Sequence, residues 1–129
     1  MSSEPRVWKS IVWELGTIKP RARITDVDDN VLVQADFTGS VQLSVFDLSS
    51  SAPTTAAFTA TRTIAATVFN SLQDWTLDPD GYNLGDTITT NELAREGGHH
   101  YRIEYLLTHA TDGLYPVVFE IRAEPLLSS

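Results

Sequence analysis

Two short stretches hold most of the side chains that could do chemistry. DVDDN, from Asp26 to Asn30, and WTLDPDGYNLGD, from Trp75 to Asp86, gather carboxylates and amides, the second around a glycine and between aromatic residues. Such oxygen-rich runs are the raw material of calcium loops, but an EF-hand needs ligands at alternating places, a glycine at the sixth and a bidentate glutamate at the twelfth. Counted from Asp26, those places hold Val31 and Phe37; counted from Asp78, Gly81 comes fourth and no glutamate closes the loop. Both stretches read better as turns. Asp26 can cap its own backbone in an Asx turn, while Pro79, Asp80 and Gly81 supply a fixed φ, a local acceptor and a positive φ. A cation held by Asp78 and Asp80 is the minority reading.

His99 and His100 are adjacent, so on a strand they face opposite sides and cannot share one ion, and His109 lies beyond the next strand. There is no cysteine, HxH or HExxH. No serine sits in a nucleophile elbow, and Gly97-Gly98 lacks the Lys-Ser/Thr pair of a phosphate-binding loop. The sequence therefore predicts no catalytic residues, no metal site and no cofactor, and a protein that is not an enzyme.

The chain has 129 residues, with 17 acidic and 9 basic side chains and a formal charge of −8. That length suits one domain, and with no run of lysine or arginine to track a phosphate backbone, direct nucleic-acid binding is not expected. The apolar stretches all fall short of the roughly 20 residues that a membrane-spanning helix takes. MSSEPRVWKSIVWELG lacks the layout of a secretory signal, which predicts a soluble product made in the cytoplasm.

The elements that must position these residues read as strands. VQLSVFDL (Val41 to Leu48) alternates, with Val41, Leu43 and Val45 on one face. GTIKPRARIT (Gly16 to Thr25) places Ile18, Ala22 and Ile24 together, with Pro20 marking an edge strand. SSSAPTT (Ser49 to Thr55) is a surface loop, Phe58 to Ile64 a threonine-rich strand, and AATVFNSL (Ala65 to Leu72) either a helical turn or an extended connection. Short strands flank the Asp-Pro-Asp-Gly turn at Trp75 to Leu77 and Leu84 to Thr89, and Arg95 to Gly98 forms a further turn. YRIEYLLT (Tyr101 to Thr108) and YPVVFEIRA (Tyr115 to Ala123), joined by ATDG, form the clearest hairpin. Six or seven such strands predict an all-β fold: an antiparallel, immunoglobulin-like β-sandwich with an N-terminal extension, a small barrel being the alternative.

The expected organisation is an N-terminal arm or edge segment over residues 1–15, a β-sandwich domain over 16–125 and a C-terminal tail over 126–129. Trp8, Ile11, Val12, Trp13 and Leu15 concentrate apolar surface in the first segment. They form either an edge strand or short helix of their own domain, or an arm that docks on a neighbouring subunit; as an arm they are the candidate partner-binding residues.

Three stretches together resemble a family of small structural proteins of tailed bacteriophages and prophages: VQLSVFDLSSSAPTT, VFNSLQDWTLDPDGYNL and GGHHYRIEYLLTHATDGLYPVVFEI. The resemblance runs from about Lys19 onward and leaves the first segment uncovered. It implies an immunoglobulin-like sandwich carried on the virion, foremost as a capsid decoration or cement protein at the capsid surface, with a neck, tail or baseplate adaptor as the alternative. It further implies the major capsid protein or another virion protein as partner, and homo-oligomers on the particle, trimers among them. A carbohydrate- or host-surface-binding module, stacking sugars on Tyr82, Tyr115 or Trp75, is a third reading.

Overall fold

The computed structural model describes residues 6–13, 17–74, 81–93 and 97–124, with 6–13 and Glu124 described through their backbone. Trp75 to Asp80, Leu15 and the tail from Pro125 lie outside the described residues.

Among the described residues, eight strands form two sheets. The larger has the order β1-β8-β7-β3-β4, from Arg6–Trp13 (β1), Phe37–Asp47 (β3), Ala56–Thr63 (β4), His100–His109 (β7) and Gly113–Glu124 (β8). The smaller has the order β2-β6-β5, from Arg21–Ala22 (β2), Val68–Gln73 (β5) and Tyr82–Gly85 (β6). Neither sheet closes on itself, and one core lies between them, so the chain is an all-β sandwich rather than a barrel.

The core follows from period-two alternation. Tyr101, Ile103, Tyr105 and Leu107 from β7, Val117, Phe119 and Ile121 from β8, and Val41, Leu43 and Val45 from β3 are buried. They meet Ile18, Ala22, Ile24, Val68, Leu84 and Ile88 from the other layer. The hairpin pairs Tyr101 with Ile121 and Tyr105 with Val117, so its two buried rows share a face.

β1 departs from the antiparallel rule. It runs parallel to β8, from Arg6 beside Val117 to Trp13 beside Glu124, as the outermost strand of the large sheet. Every other pair of strands is antiparallel.

The first expected strand is less regularly paired than its alternation suggests. Gly16 to Thr25 contributes only the two residues of β2, flanked by isolated bridges from Ile18 to Ile88 and from Thr25 to Val31. Ile18, Ala22 and Ile24 nevertheless point inward as expected, and β2 lies at a sheet edge. Ala65 to Leu72 does both things in turn. Thr63 caps a single helical turn, α1 (Ile64–Thr67), by accepting from Ala66 N–H at 3.2 Å, and β5 follows at once. That turn carries the chain from the edge of one sheet to the other.

Candidate functional site: a polar cluster between the sheets and its adjoining cleft

A concentrated group of ionisable side chains links the two layers. Arg62 lies on β4, Asp86 follows β6 directly, Tyr105 is central in β7, and Glu92 sits in the turn after Thr89. Arg62 donates through Nε to Asp86 Oδ2 at 3.1 Å and grips Glu92 with both terminal nitrogens, at 2.8 and 3.1 Å. Its Nη2 also reaches the Thr87 carbonyl at 3.3 Å. The planar guanidinium suits this forked grip, which a lysine could not reproduce. Tyr105, fully buried, donates its hydroxyl to Asp86 Oδ2 at 2.6 Å.

Glu92 is placed by its own turn. Its Oε1 accepts from Thr89 N–H at 3.1 Å, and its N–H is donated to Thr89 Oγ1 at 3.3 Å, the reciprocal bonding of a capping box. Spacing of the form T-x-x-E was there to be read at Thr89 to Glu92.

The electrostatics fix each proton. Hydrogen bonding from Arg62 holds the Glu92 carboxyl below its ordinary range, and the same bonds to Glu92 and then Asp86 push the guanidinium further up. Burial first, and the Asp86 charge second, raise the Tyr105 phenol well above its usual value. Near neutral pH, Arg62 and Glu92 stay charged and Tyr105 stays neutral. General acid–base work requires a group that titrates near the working pH, and these three are driven away from it.

Beside the cluster lies an open cleft of about 330 Å³, lined by Arg21, Phe69, Tyr82, Gly85, Asp86 and their neighbours. The Arg21 guanidinium covers the Tyr82 ring, 4.8 Å from its centroid, and Phe69 meets the same ring edge-on at 5.7 Å. Gly85 lets these groups close in, since a Cβ there would sit 3.3 Å from both the Phe69 and Tyr82 rings. The aromatic walls are already in contact with each other and with a cation.

The described half of the second oxygen-rich stretch is structural. Gly81 is buried at φ 84°, and Asn83 is fully buried inside the core. The Asn83 side chain accepts from Ile24 N–H at 2.7 Å and donates to the carbonyls of Ile24 and Leu32 at 3.0 and 2.7 Å. The bonds to the Ile24 N–H and the Leu32 carbonyl satisfy buried backbone groups, and the third adds to an Ile24 carbonyl that also accepts from Leu32 N–H at 3.1 Å. Asp78 and Asp80 lie outside the described residues.

DVDDN folds as the Asx turn its composition predicts. Asp26 Oδ1 accepts from the N–H groups of Asp28 and Asn30, both at 2.9 Å, and those bonds, led by Asn30, lower the Asp26 pKa. The histidines also bind locally. His99 Nδ1 meets Asp47 Oδ2 at 2.8 Å, His100 is exposed, and His109 Nδ1 accepts from the N–H groups of Thr111 and Asp112 in the hairpin turn. Among the described residues no three His, Asp or Glu side chains gather as a metal site.

Of the candidate partner-binding residues, Trp8, Ile11, Val12 and Trp13 fall on β1, whereas Leu15 lies outside the described residues. Register separates them: Trp8 and Val12 stand beside Phe119 and Ala123, while Ile11 and Trp13 stand beside Arg122 and Glu124. Successive strand positions alternate between faces, so the four do not share one face.

Comparison of the chain with protein-family models, with curated proteins and with solved structures finds no match.

Proposed function

We propose that this protein is a structural component of a tailed-phage virion, foremost a capsid decoration protein that binds and stabilises the shell. The observation that carries this reading is that the most concentrated polar groups among the described residues are committed to the fold. Arg62, Glu92, Asp86 and Tyr105 bind one another, and Asn83 and Asp26 bind backbone. A body of this kind acts through its surface and its edges. The strand orders β8-β7-β3-β4 and β2-β6-β5 follow the G-F-C-C′ and B-E-D orders of an immunoglobulin variable-type sandwich, which supports the fold implied by the phage resemblance.

In this reading the sandwich is a rigid block and the N-terminal segment its anchor. Apolar burial at a subunit junction contributes on the order of 25 cal/mol per Å². Repetition over many copies then raises the strength of attachment through avidity. β1 limits which residues can take part, since those paired with β8 already belong to the sheet on one side.

The sugar-binding alternative has less support. Tyr115 is buried and donates its hydroxyl to the Thr25 carbonyl at 3.0 Å, and the Tyr82 ring lies under Arg21.

Counting copies in purified particles by quantitative mass spectrometry tests the proposal. Hundreds per particle are expected for a shell protein, and a small ring number would move it to the neck, tail or baseplate. Absence from the particle would overturn the virion reading.

A further inference from the structure

Sheet edges left open invite pairing with another chain, and proteins guard them with charge, proline, bulges or a covering segment. Three of the four outermost strands here are guarded in such ways. β1 carries Arg6 and Lys9. β2 is two residues long and follows Pro20. β5 pairs irregularly with β6, and the 3-10 turn Gln34–Asp36 lies against it, with Gln34 Nε2 donating to the Val68 carbonyl at 2.8 Å and Gln34 N–H to Asn70 Oδ1 at 3.0 Å.

β4 is the least guarded: its one irregularity lies at its start, where Ala56 pairs with Phe46 and Phe58 with Val45. It runs eight residues, AAFTATRT, with its only charge at Arg62, which is turned to Asp86 and Glu92. Ala57, Thr59, Thr61 and Thr63 are exposed, and Phe58 and Ala60 are only partly buried against the core. Among the described residues no strand pairs with its outer side.

We infer that β4 is a self-pairing edge, joining two copies of the chain antiparallel about a two-fold axis at Ala60 into one continuous ten-stranded sheet. The occupant is a second copy because the strand is self-complementary in that register. Thr59 of each copy faces Thr61 of the other, Ala57 faces Thr63, and Phe58 faces Arg62, so no like charges oppose and threonines pair across the axis. Charge points the same way. Two chains of net charge −8 repel, yet residues 49–61, the loop and most of the strand, hold no charged side chain. The neutral edge is the approach with the least local repulsion. This inference is independent of the virion reading.

Sedimentation equilibrium on the full chain tests it, with Thr59 and Thr61 as reporters because both are exposed and leave the core intact. The wild-type chain is expected to form a dimer of twice 14.2 kDa. Thr59→Lys with Thr61→Lys sets lysine against lysine twice across the axis and is expected to weaken the dimer by about tenfold or more. Thr59→Lys with Thr61→Glu sets opposite charges there instead and is expected to restore it, with thermal unfolding of both variants confirming an intact fold. A wild-type chain that stays monomeric at millimolar concentration overturns the inference. So does a trimer, a dimer indifferent to the paired lysines, or one that the Lys/Glu pair fails to restore.

Discussion

The Tyr105 hydroxyl and Asp86 Oδ2 lie 2.6 Å apart, joining the middle of the large sheet to the end of β6 in the small one. A second, weaker tie runs between the layers at Tyr115 and Thr25. Because Asp86 also receives Arg62, the Tyr105 contact is one arm of a network, and removing different members should have unequal effects.

Tyr105→Phe removes one donor to a carboxylate that keeps Arg62. The expected loss is about 1.5–3 kcal/mol, the range for a hydrogen bond to a charged group. Asp86→Ala should cost more, because it leaves the buried phenol unpaired and strips Arg62 of one partner. Urea unfolding of the two variants checks the order; equal losses would contradict it.

Stability should fall toward both ends of the pH scale, with identifiable residues on each limb. Glu92 has a lowered pKa in the folded protein, so its contribution is present above its ordinary value and is lost as pH falls. Tyr105 has a raised pKa, so its contribution is present below about pH 10 and declines as the unfolded chain begins to shed that proton. Unfolding free energy against pH should show a flatter acid limb in Glu92→Gln and a flatter alkaline limb in Tyr105→Phe. Unchanged slopes would show that other groups set the profile.

Asn83→Leu keeps the branched outline of the buried amide and loses its bonding. The Ile24 N–H and the Leu32 carbonyl would then stand unsatisfied in the core, while the Ile24 carbonyl keeps its bond from Leu32 N–H, at an expected cost of about 2 kcal/mol or more. Hydrogen exchange at the Ile24 amide should accelerate more than exchange in the β7–β8 hairpin, since the Asn83 side chain bonds to Ile24 and Leu32.

Gly81→Ala tests the turn that feeds β6. The backbone there has φ 84°, and an added Cβ would collide with the Gln73 carbonyl oxygen. A loss of about 1–3 kcal/mol is expected from the strained backbone alone. A melting temperature unchanged from wild type would show that the turn relaxes freely.

Much of the fold was legible because its signal is local. In YRIEYLLT and YPVVFEIRA the predicted inward rows are buried, although Val118, expected on the outer face, is buried as well; Val41, Leu43 and Val45 are buried as expected. The Asx turn at Asp26 needs only five consecutive residues, and its composition announces it. β1 was harder. RVWKSIVW has no clean alternation, and its parallel partner lies more than a hundred residues away, so nothing within the segment specifies that pairing. The polar cluster was invisible for a related reason: Arg62, Asp86, Glu92 and Tyr105 are single side chains at unrelated spacings, brought together by the stacking of two sheets. Only the Thr89–Glu92 box could have marked one of its members in advance.

The parallel run of β1 along β8 gives this edge of the large sheet a direction with distinguishable ends. Arg6 begins beside Val117, and the chain is last described at Glu124, about 23 Å further along the strand at the usual rise per residue. The backbone thus enters the sheet toward one pole and leaves it at the other. A label or cargo fused after residue 124 would emerge at the far pole from one fused before residue 6, so the two ends can serve as separate handles: one can be held while the other is displayed.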